Sequence, residues 1–279
     1  MSEADVLVRE DAGLWSPVEG AALRRLGAYL ADTGFLKSEQ DFAPVRHSAL
    51  QIVSRCAPFR EADQVRTGLV IGYVQSGKTL SMAAVASAAA DNGCRIVIVL
   101  AGTKRNLLSQ SAGRFKKDLR GNGRYTDAWV MLDSTESLES STIRRRLLDC
   151  LDEWKDEFTP EEYKSPLFWT VMKHHAHLDA LRDVLRYCDL RGIPALIIDD
   201  EADQAGLNTT PEDDDASTTF SAIRALRACL PHHSYLQYTA TPQAPLLISL
   251  ADLLSPDFAE VLEPGNGYTG GRTFFADDT

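Results

Sequence analysis

The chain has 279 residues, of which 44% are apolar, 25% charged and 8% aromatic, a composition that suits a folded domain with a sizeable core and excludes disordered and collagen-like chains. Twenty-nine Lys and Arg against forty Asp and Glu leave a net charge of −11, which taken alone argues against contact with nucleic acid, whose binders carry a basic footprint. The acidic start MSEADVLVRE lacks the layout of an export signal, and five scattered cysteines without a CxxC pair point to reduced thiols in a cytoplasmic protein rather than to disulfides or zinc.

The total charge hides an uneven distribution. Residues 1–66 carry eight basic and ten acidic side chains, residues 67–149 twelve and seven, and residues 150–279 nine and twenty-three. The middle third is therefore basic within an acidic chain. Neither of the most apolar stretches, Ile96–Ala101 and Met82–Ala90, approaches the eighteen or so residues that a membrane span needs, so no membrane partner is expected.

Residues 1–66 read as a helical lead-in. Leu23, Leu26 and Leu30 recur at helical spacing after Pro17, and a second helix follows Pro44 through Ala49, Ile52 and Val53. From Gly68 the pattern changes to short apolar runs at Leu69–Ile71, Ile96–Leu100, Trp129–Leu132, Leu167–Met172, Ala195–Ile198 and Tyr235–Tyr238. Between them lie helical segments at Thr79–Ala90, Lys104–Leu119, Thr142–Phe158, His177–Cys188 and Thr219–Leu230. Short β-branched and aromatic runs alternating with helices predict βαβ units and a mainly parallel sheet flanked by helices, an α/β fold. This main domain is expected over residues 67–255, with 256–279 as a C-terminal tail. The stretch Asn208–Thr219, with its acidic run Glu212 to Asp215, reads as an exposed loop.

Residues 72–79, GYVQSGKT, complete the pattern GxxxxGK[ST] between an apolar run and an Ala-rich helix, which is the setting of a phosphate-binding P-loop. Glycines let backbone N–H groups curl around phosphate oxygens, and the following helix adds the positive end of its dipole. Gly72, Gln75, Ser76, Gly77, Lys78 and Thr79 are the expected nucleotide ligands: Lys78 reaches the β and γ phosphates, and the Thr79 hydroxyl reaches Mg²⁺. ATP and Mg²⁺ are the cofactors this implies.

The loop alone does not separate a kinase from a switch or a motor. Further along, Leu196-Ile-Ile-Asp199-Asp200-Glu201-Ala202-Asp203 is an apolar strand ending in carboxylates, which delivers acids to the sheet edge where ligands bind in open α/β folds. Asp200 is the candidate metal ligand, and Glu201 the residue that orients or deprotonates a water, which implies hydrolysis. Asp199 leaves a one-residue shift of register open; Asp200 and Glu201 are preferred because they complete DEAD. Tyr238-Thr239-Ala240-Thr241-Pro242 follows on the next strand, where Thr239 and Thr241 can link the acidic motif to a neighbouring domain.

With these three motifs in order, the chain resembles the first RecA-like domain of superfamily-two helicases. More closely, VIGYVQSGKT (Val70 to Thr79), VLAGTKRNLLSQ (Val99 to Gln110), LIIDDEADQAGLNT (Leu196 to Thr209) and YTATPQAPLL (Tyr238 to Leu247) are similar to the Z-one domain family of endonucleases and helicase-like ATPases from bacterial restriction and phage-defence loci. The resemblance covers about residues 40–275. It implies an ATP hydrolase acting on DNA, with Lys78, Asp200 and Glu201 catalytic, Thr239 and Thr241 coupling, and Gly102, Thr103, Lys104 and Arg105 where such proteins touch the nucleic-acid backbone.

Arg114, Lys116, Lys117, Arg120 and Arg124 would extend that contact and explain the basic middle third. The family's second RecA-like domain does not fit in the 38 residues after Thr241, so a truncated or split chain, completed by a downstream chain and a nuclease partner, is expected to turn ATP over slowly. A nucleotide-dependent interaction module without motor activity is the alternative. His174, His175, His177, His232 and His233 read as surface or core histidines, since no matching acid or cysteine set accompanies them.

Overall fold

A computed structural model describes residues 15–61, 63–72, 77–102, 105–125, 128–133, 141–202, 214–240 and 256–262. In chain order the elements are α1 (Ala21–Asp32), α2 (Ala43–Arg55), β1 (Val65–Ile71), α3 (Lys78–Asp91), β2 (Ile96–Ala101), α4 (Arg105–Leu119), β3 (Val130–Asp133), α5 (Ser141–Lys155), β4 (Leu167–Met172), α6 (His175–Leu185), β5 (Ala195–Asp199), α7 (Asp214–Ala228), β6 (His233–Thr239) and β7 (Phe258–Val261). The strands form one sheet in the order β3-β4-β2-β5-β6-β1-β7, and every pairing among the described residues is parallel.

Strand β2 shows why the sheet is buried on both faces. Its six residues, IVIVLA, are all buried, and alternate side chains enter different cores because strand side chains point to opposite faces. Val97, Val99 and Ala101 pack with α1, α2, α3 and α4, whereas Ile96, Ile98 and Leu100 pack with α5, α6 and α7. The result is the helix-sheet-helix arrangement that the alternating runs predicted.

Helix α3 is apolar all round, with Met82 through Ala89 buried, as expected of a helix enclosed by other elements. The sheet covers one side, and α1 and α2 cover the other as part of the same core. Asp91 at the end of α3 fastens α1: its carboxylate accepts the backbone N–H groups of Gly20, Ala22 and Leu23 at 2.8–3.0 Å. Asn92 adds a reciprocal pair with the Val18 backbone. The lead-in helices are thus held directly on the helix that begins at the P-loop.

Two strands reach beyond their apolar runs. β1 starts at Val65 and β6 at His233, because buried polar residues (Thr67, His233, Ser234) extend them within the sheet. β7 lies within the stretch expected as tail; at the sheet edge its burial falls from Phe258, which is buried, to Val261, which is exposed, and its four residues give no long apolar run. Gly68 is required where β7 meets β1, since a Cβ there would lie 2.3 Å from the Phe258 ring.

Candidate nucleotide-binding and hydrolysis site

The sheet order sets the site. β6 lies between β1 and β5, with Ile71 beside Thr239 and Asp199 beside Gln237. The carboxyl ends of these three strands therefore bring the P-loop segment, the TAT segment and the acidic segment to one edge, where ligands bind in open α/β sheets. Thr239 is fully buried, and its carbonyl accepts the Gly72 N–H at 2.9 Å. The Tyr238 hydroxyl meets Ser81 Oγ at 3.2 Å, tying β6 to the first turn of α3.

Gly77 precedes α3 with φ +81°, a left-handed conformation that favours glycine. The helix begins at Lys78 and has no acidic residue in its first turn, so its N-terminal N–H groups and dipole face the sheet edge without a competing carboxylate. Lys78 and Thr79 are half-buried. Gln75, Ser76, Thr103, Lys104 and Thr241 lie outside the described residues, as does the side chain of Arg105.

The acidic segment splits in two. Asp199 is buried, forms an ion pair with Lys173 at 2.7 Å, and accepts a hydrogen bond from the Tyr235 hydroxyl. Asp200, the first residue past β5, donates its N–H to the Leu100 carbonyl at 3.0 Å and is half-buried. Burial pushes the Asp200 carboxyl up, Lys78 pulls it down, and the charges of Glu201 and Asp199 push it up again. Lys78 and Asp200 are thus near enough for their charges to act on each other.

Adjacent carboxylates, with the charges of Lys78 and Lys173 acting on Asp200, fit a divalent cation held with phosphate oxygens, which is how Mg²⁺ is usually bound. Glu201 has φ +54°, a sparsely populated conformation for a non-glycine residue. Among the described residues no group of three or more His, Cys, Asp or Glu side chains could hold a metal by itself.

Lys173 was not a candidate from the sequence, and the structure makes it central to this edge. It directly follows β4, its side chain is 3% exposed, and its ammonium reaches Asp199 and the carbonyls of Asp200 and Glu201. A lone lysine directly after the mainly apolar run Leu167–Met172 was the available signal. Its partner lies on a strand separated by β2 in the sheet and is not marked by sequence spacing.

Among the described residues, the basic side chains of α4 and the turn after it do not form one patch. Gly102, with φ +42°, sits at the edge, and its carbonyl accepts the Lys173 N–H. Arg114, Lys116 and Lys117 are exposed on α4, but the helix carries Lys116 about 17 Å from Arg105, at 1.5 Å per residue. Arg120 donates to the Trp129 carbonyl, and Arg124 pairs with Asp32. The histidines are structural: His174 caps α6, with its ring 4.2 Å from that of His175. His233 is buried against Arg227, and burial followed by the Arg227 charge lowers its pKa to about 4. All five cysteines are free, with the buried Cys56 thiol pushed up to about 12.

The seven-stranded parallel sheet with helices on both faces, and the loop-to-helix turn at Gly77, define a RecA-like P-loop α/β fold with an N-terminal helical segment. The solved structure of the DUF1998 helicase MrfA bound to DNA and AMPPNP has this fold, with a TM-score of 0.50 at 16% identity, matching 91% of this chain and 31% of that one. The DEAD-box helicase Mss116 bound to ssRNA and UDP-BeF matches 88% of the chain and 46% of its own at 13% identity and TM-score 0.46. The helicase domain of Hef from Pyrococcus furiosus matches 73% and 35% at 16% identity and TM-score 0.44. The chain therefore spans about a third of the MrfA chain. No protein-family profile matches the sequence, and no curated protein matches it. No described helix is long and apolar enough to cross a membrane.

Proposed function

We propose that this chain is the ATP-binding and ATP-hydrolysing half of a helicase-like module that acts on DNA. The observation that carries the reading is the parallel order β5-β6-β1, which ends the strand before the P-loop segment and the strand before the acidic segment at one sheet edge, although the segments lie 122 residues apart. On this reading the first-turn N–H groups of α3 and the Lys78 ammonium bind the β and γ phosphates. Thr79 and Asp200 hold Mg²⁺, which when bound supplies positive charge against the phosphate oxygens. Glu201 accepts a hydrogen bond from the attacking water and takes its proton as the water oxygen bonds to the γ-phosphorus and the bond from that phosphorus to the β–γ bridging oxygen breaks, releasing ADP. Thr239 and Thr241 couple the phosphate state to a neighbouring domain.

The four sequence blocks support the Z-one type within bacterial restriction or phage defence, working in the cytoplasm with a nuclease partner. Gly102 to Arg105 supply backbone contacts to DNA, and a second RecA-like domain supplies the arginine that speeds hydrolysis, worth about 10³-fold or more in related enzymes. The test is binding of a fluorescent ATP analogue with Mg²⁺, and single-turnover hydrolysis with and without DNA. Lys78→Ala should abolish binding and Glu201→Gln should keep binding while stopping hydrolysis. Wild-type affinity in Lys78→Ala refutes the site, and hydrolysis that DNA never stimulates, even with a second domain supplied, refutes the motor.

A further inference from the structure

Lys173 uses its ammonium on three consecutive residues. It contacts Asp199 Oδ1 at 2.7 Å, the Asp200 carbonyl at 3.4 Å and the Glu201 carbonyl at 3.0 Å. Of the three N–H donors of an ammonium, two go to the carbonyls, while the contact with Asp199 Oδ1 is an ion pair without hydrogen-bond geometry. The lysine follows β4, while its partners end β5 and begin the segment beyond it, with β2 in between. The pair therefore bridges about 10 Å of sheet, two strand spacings. Its own N–H donates to the Gly102 carbonyl at 3.2 Å, so one residue fixes the ends of β4, β2 and β5.

Neutralising Asp199 does not require this arrangement. The carboxylate already accepts from Tyr235, and the two further donors go to carbonyls past the end of the strand. Those carbonyls belong to the candidate metal ligand and the candidate water ligand. Glu201 is also held at φ +54°, a left-handed conformation that is unfavourable for a residue with a Cβ and persists where the surroundings over-determine it. Among the described residues, the Lys173 ammonium donates to its carbonyl at 3.0 Å.

We propose that Lys173 is a positioning residue for hydrolysis: by gripping the Asp200 and Glu201 carbonyls it sets the left-handed turn that aims the Glu201 carboxylate at the water. The inference rests on the reading of this edge as an ATP hydrolysis site. It assigns Lys173 no contact with nucleotide, so binding and turnover should respond differently to its loss.

The test uses the full chain in three forms: Lys173→Met, Lys173→Met with Asp199→Asn, and Glu201→Gln as the reference. The single variant strands a buried carboxylate and should unfold at lower urea concentration. The double variant removes both charges, a replacement that is often neutral for stability, and keeps an acceptor for Tyr235. Both Lys173 variants should bind the Mg²⁺ complex of a fluorescent ATP analogue within about threefold of wild type, yet hydrolyse radiolabelled ATP in single-turnover mixtures about a hundredfold more slowly, the usual effect of a misplaced catalytic group. A double variant that hydrolyses at the wild-type rate would show that Lys173 only neutralises Asp199, and would overturn the proposal while leaving the site intact. Undiminished hydrolysis by Glu201→Gln would instead remove the site reading itself, and the proposal with it.

Discussion

Replacing Asp91 with Ala should loosen α1 from α3 and lower the stability of the whole domain. Oδ2 accepts from Gly20 and Leu23 and Oδ1 from Ala22, so the substitution leaves three N–H groups at the start of α1 without this acceptor. At about 0.5–1.5 kcal/mol for each hydrogen bond the loss would be about 2–4 kcal/mol. The lower end is expected, because burial, the largest influence on this carboxyl, pushes it up and offsets part of the pull of the three donors. The estimate is then about 2 kcal/mol, the upper part of the range for losing a helix cap. Asp91→Asn keeps one carbonyl oxygen and should lose about half as much. Urea unfolding followed by circular dichroism gives the totals, and hydrogen exchange at Gly20, Ala22 and Leu23 shows where protection is lost. A change below about 0.5 kcal/mol in Asp91→Ala, with those amides still protected, would mean that apolar packing alone seats α1.

Gly77→Ala should cost about 1–2 kcal/mol from backbone strain alone, since the position has φ +81° and no described atom lies within 4 Å of the added Cβ; a loss in urea above about 4 kcal/mol would reveal a clash rather than strain. His233 gives a pH dependence: unfolded histidine takes up a proton near pH 6.5, while folded His233 resists until about pH 4. The unfolded state thus binds more protons across that interval, and stability is full above it and falls as the pH drops, by about 2 kcal/mol at pH 5 and about 3 kcal/mol once both forms are protonated. His233→Gln, whose amide oxygen can still accept from Arg227, should remove that part of the slope in urea midpoints measured from pH 7 to 5. An unchanged slope would place the dependence elsewhere. Tyr235→Phe should cost about 1–3 kcal/mol, because it takes a hydroxyl donor from buried Asp199; thermal unfolding indistinguishable from wild type would refute that.

The alternation of apolar runs and helices was enough to read six of the seven described strands, since a strand buried on both faces writes itself as an unbroken apolar stretch. β7 escaped because Phe258-Ala-Glu-Val, buried chiefly at Phe258, carries too little apolar surface to stand out from a loop. The lead-in helices were visible from Leu23, Leu26 and Leu30, but their attachment was not: Asp91 and Asn92 look in the sequence like an ordinary polar helix end. The acidic segment shows the same limit more sharply. Asp199 and Asp200 are chemically alike and adjacent, and only their places, one paired with Lys173 at the end of β5 and the other just past it, tell them apart. That distinction depends on sheet order, and a pairing between residues 173 and 199 leaves no periodic trace.

The charge distribution acquires a different meaning once the basic residues have positions. A chain with net charge −11 seemed to reconcile with DNA through its basic middle third, yet Arg120 and Arg124 are engaged within the fold. Lys116 and Lys117 occupy the last turn of α4, away from the carboxyl edge of the sheet. At that edge, among the described residues, Lys173 is committed to Asp199 and Lys78 acts on Asp200. On the proposed reading, the α4 face is therefore not the contact to DNA phosphates at Gly102, although Arg144, Arg145 and Arg146 are exposed on α5. Each counterion that this chain does not displace removes a factor from the salt-dependent part of binding. The geometry thus favours a grip completed by a neighbouring domain over one made by the α4 face.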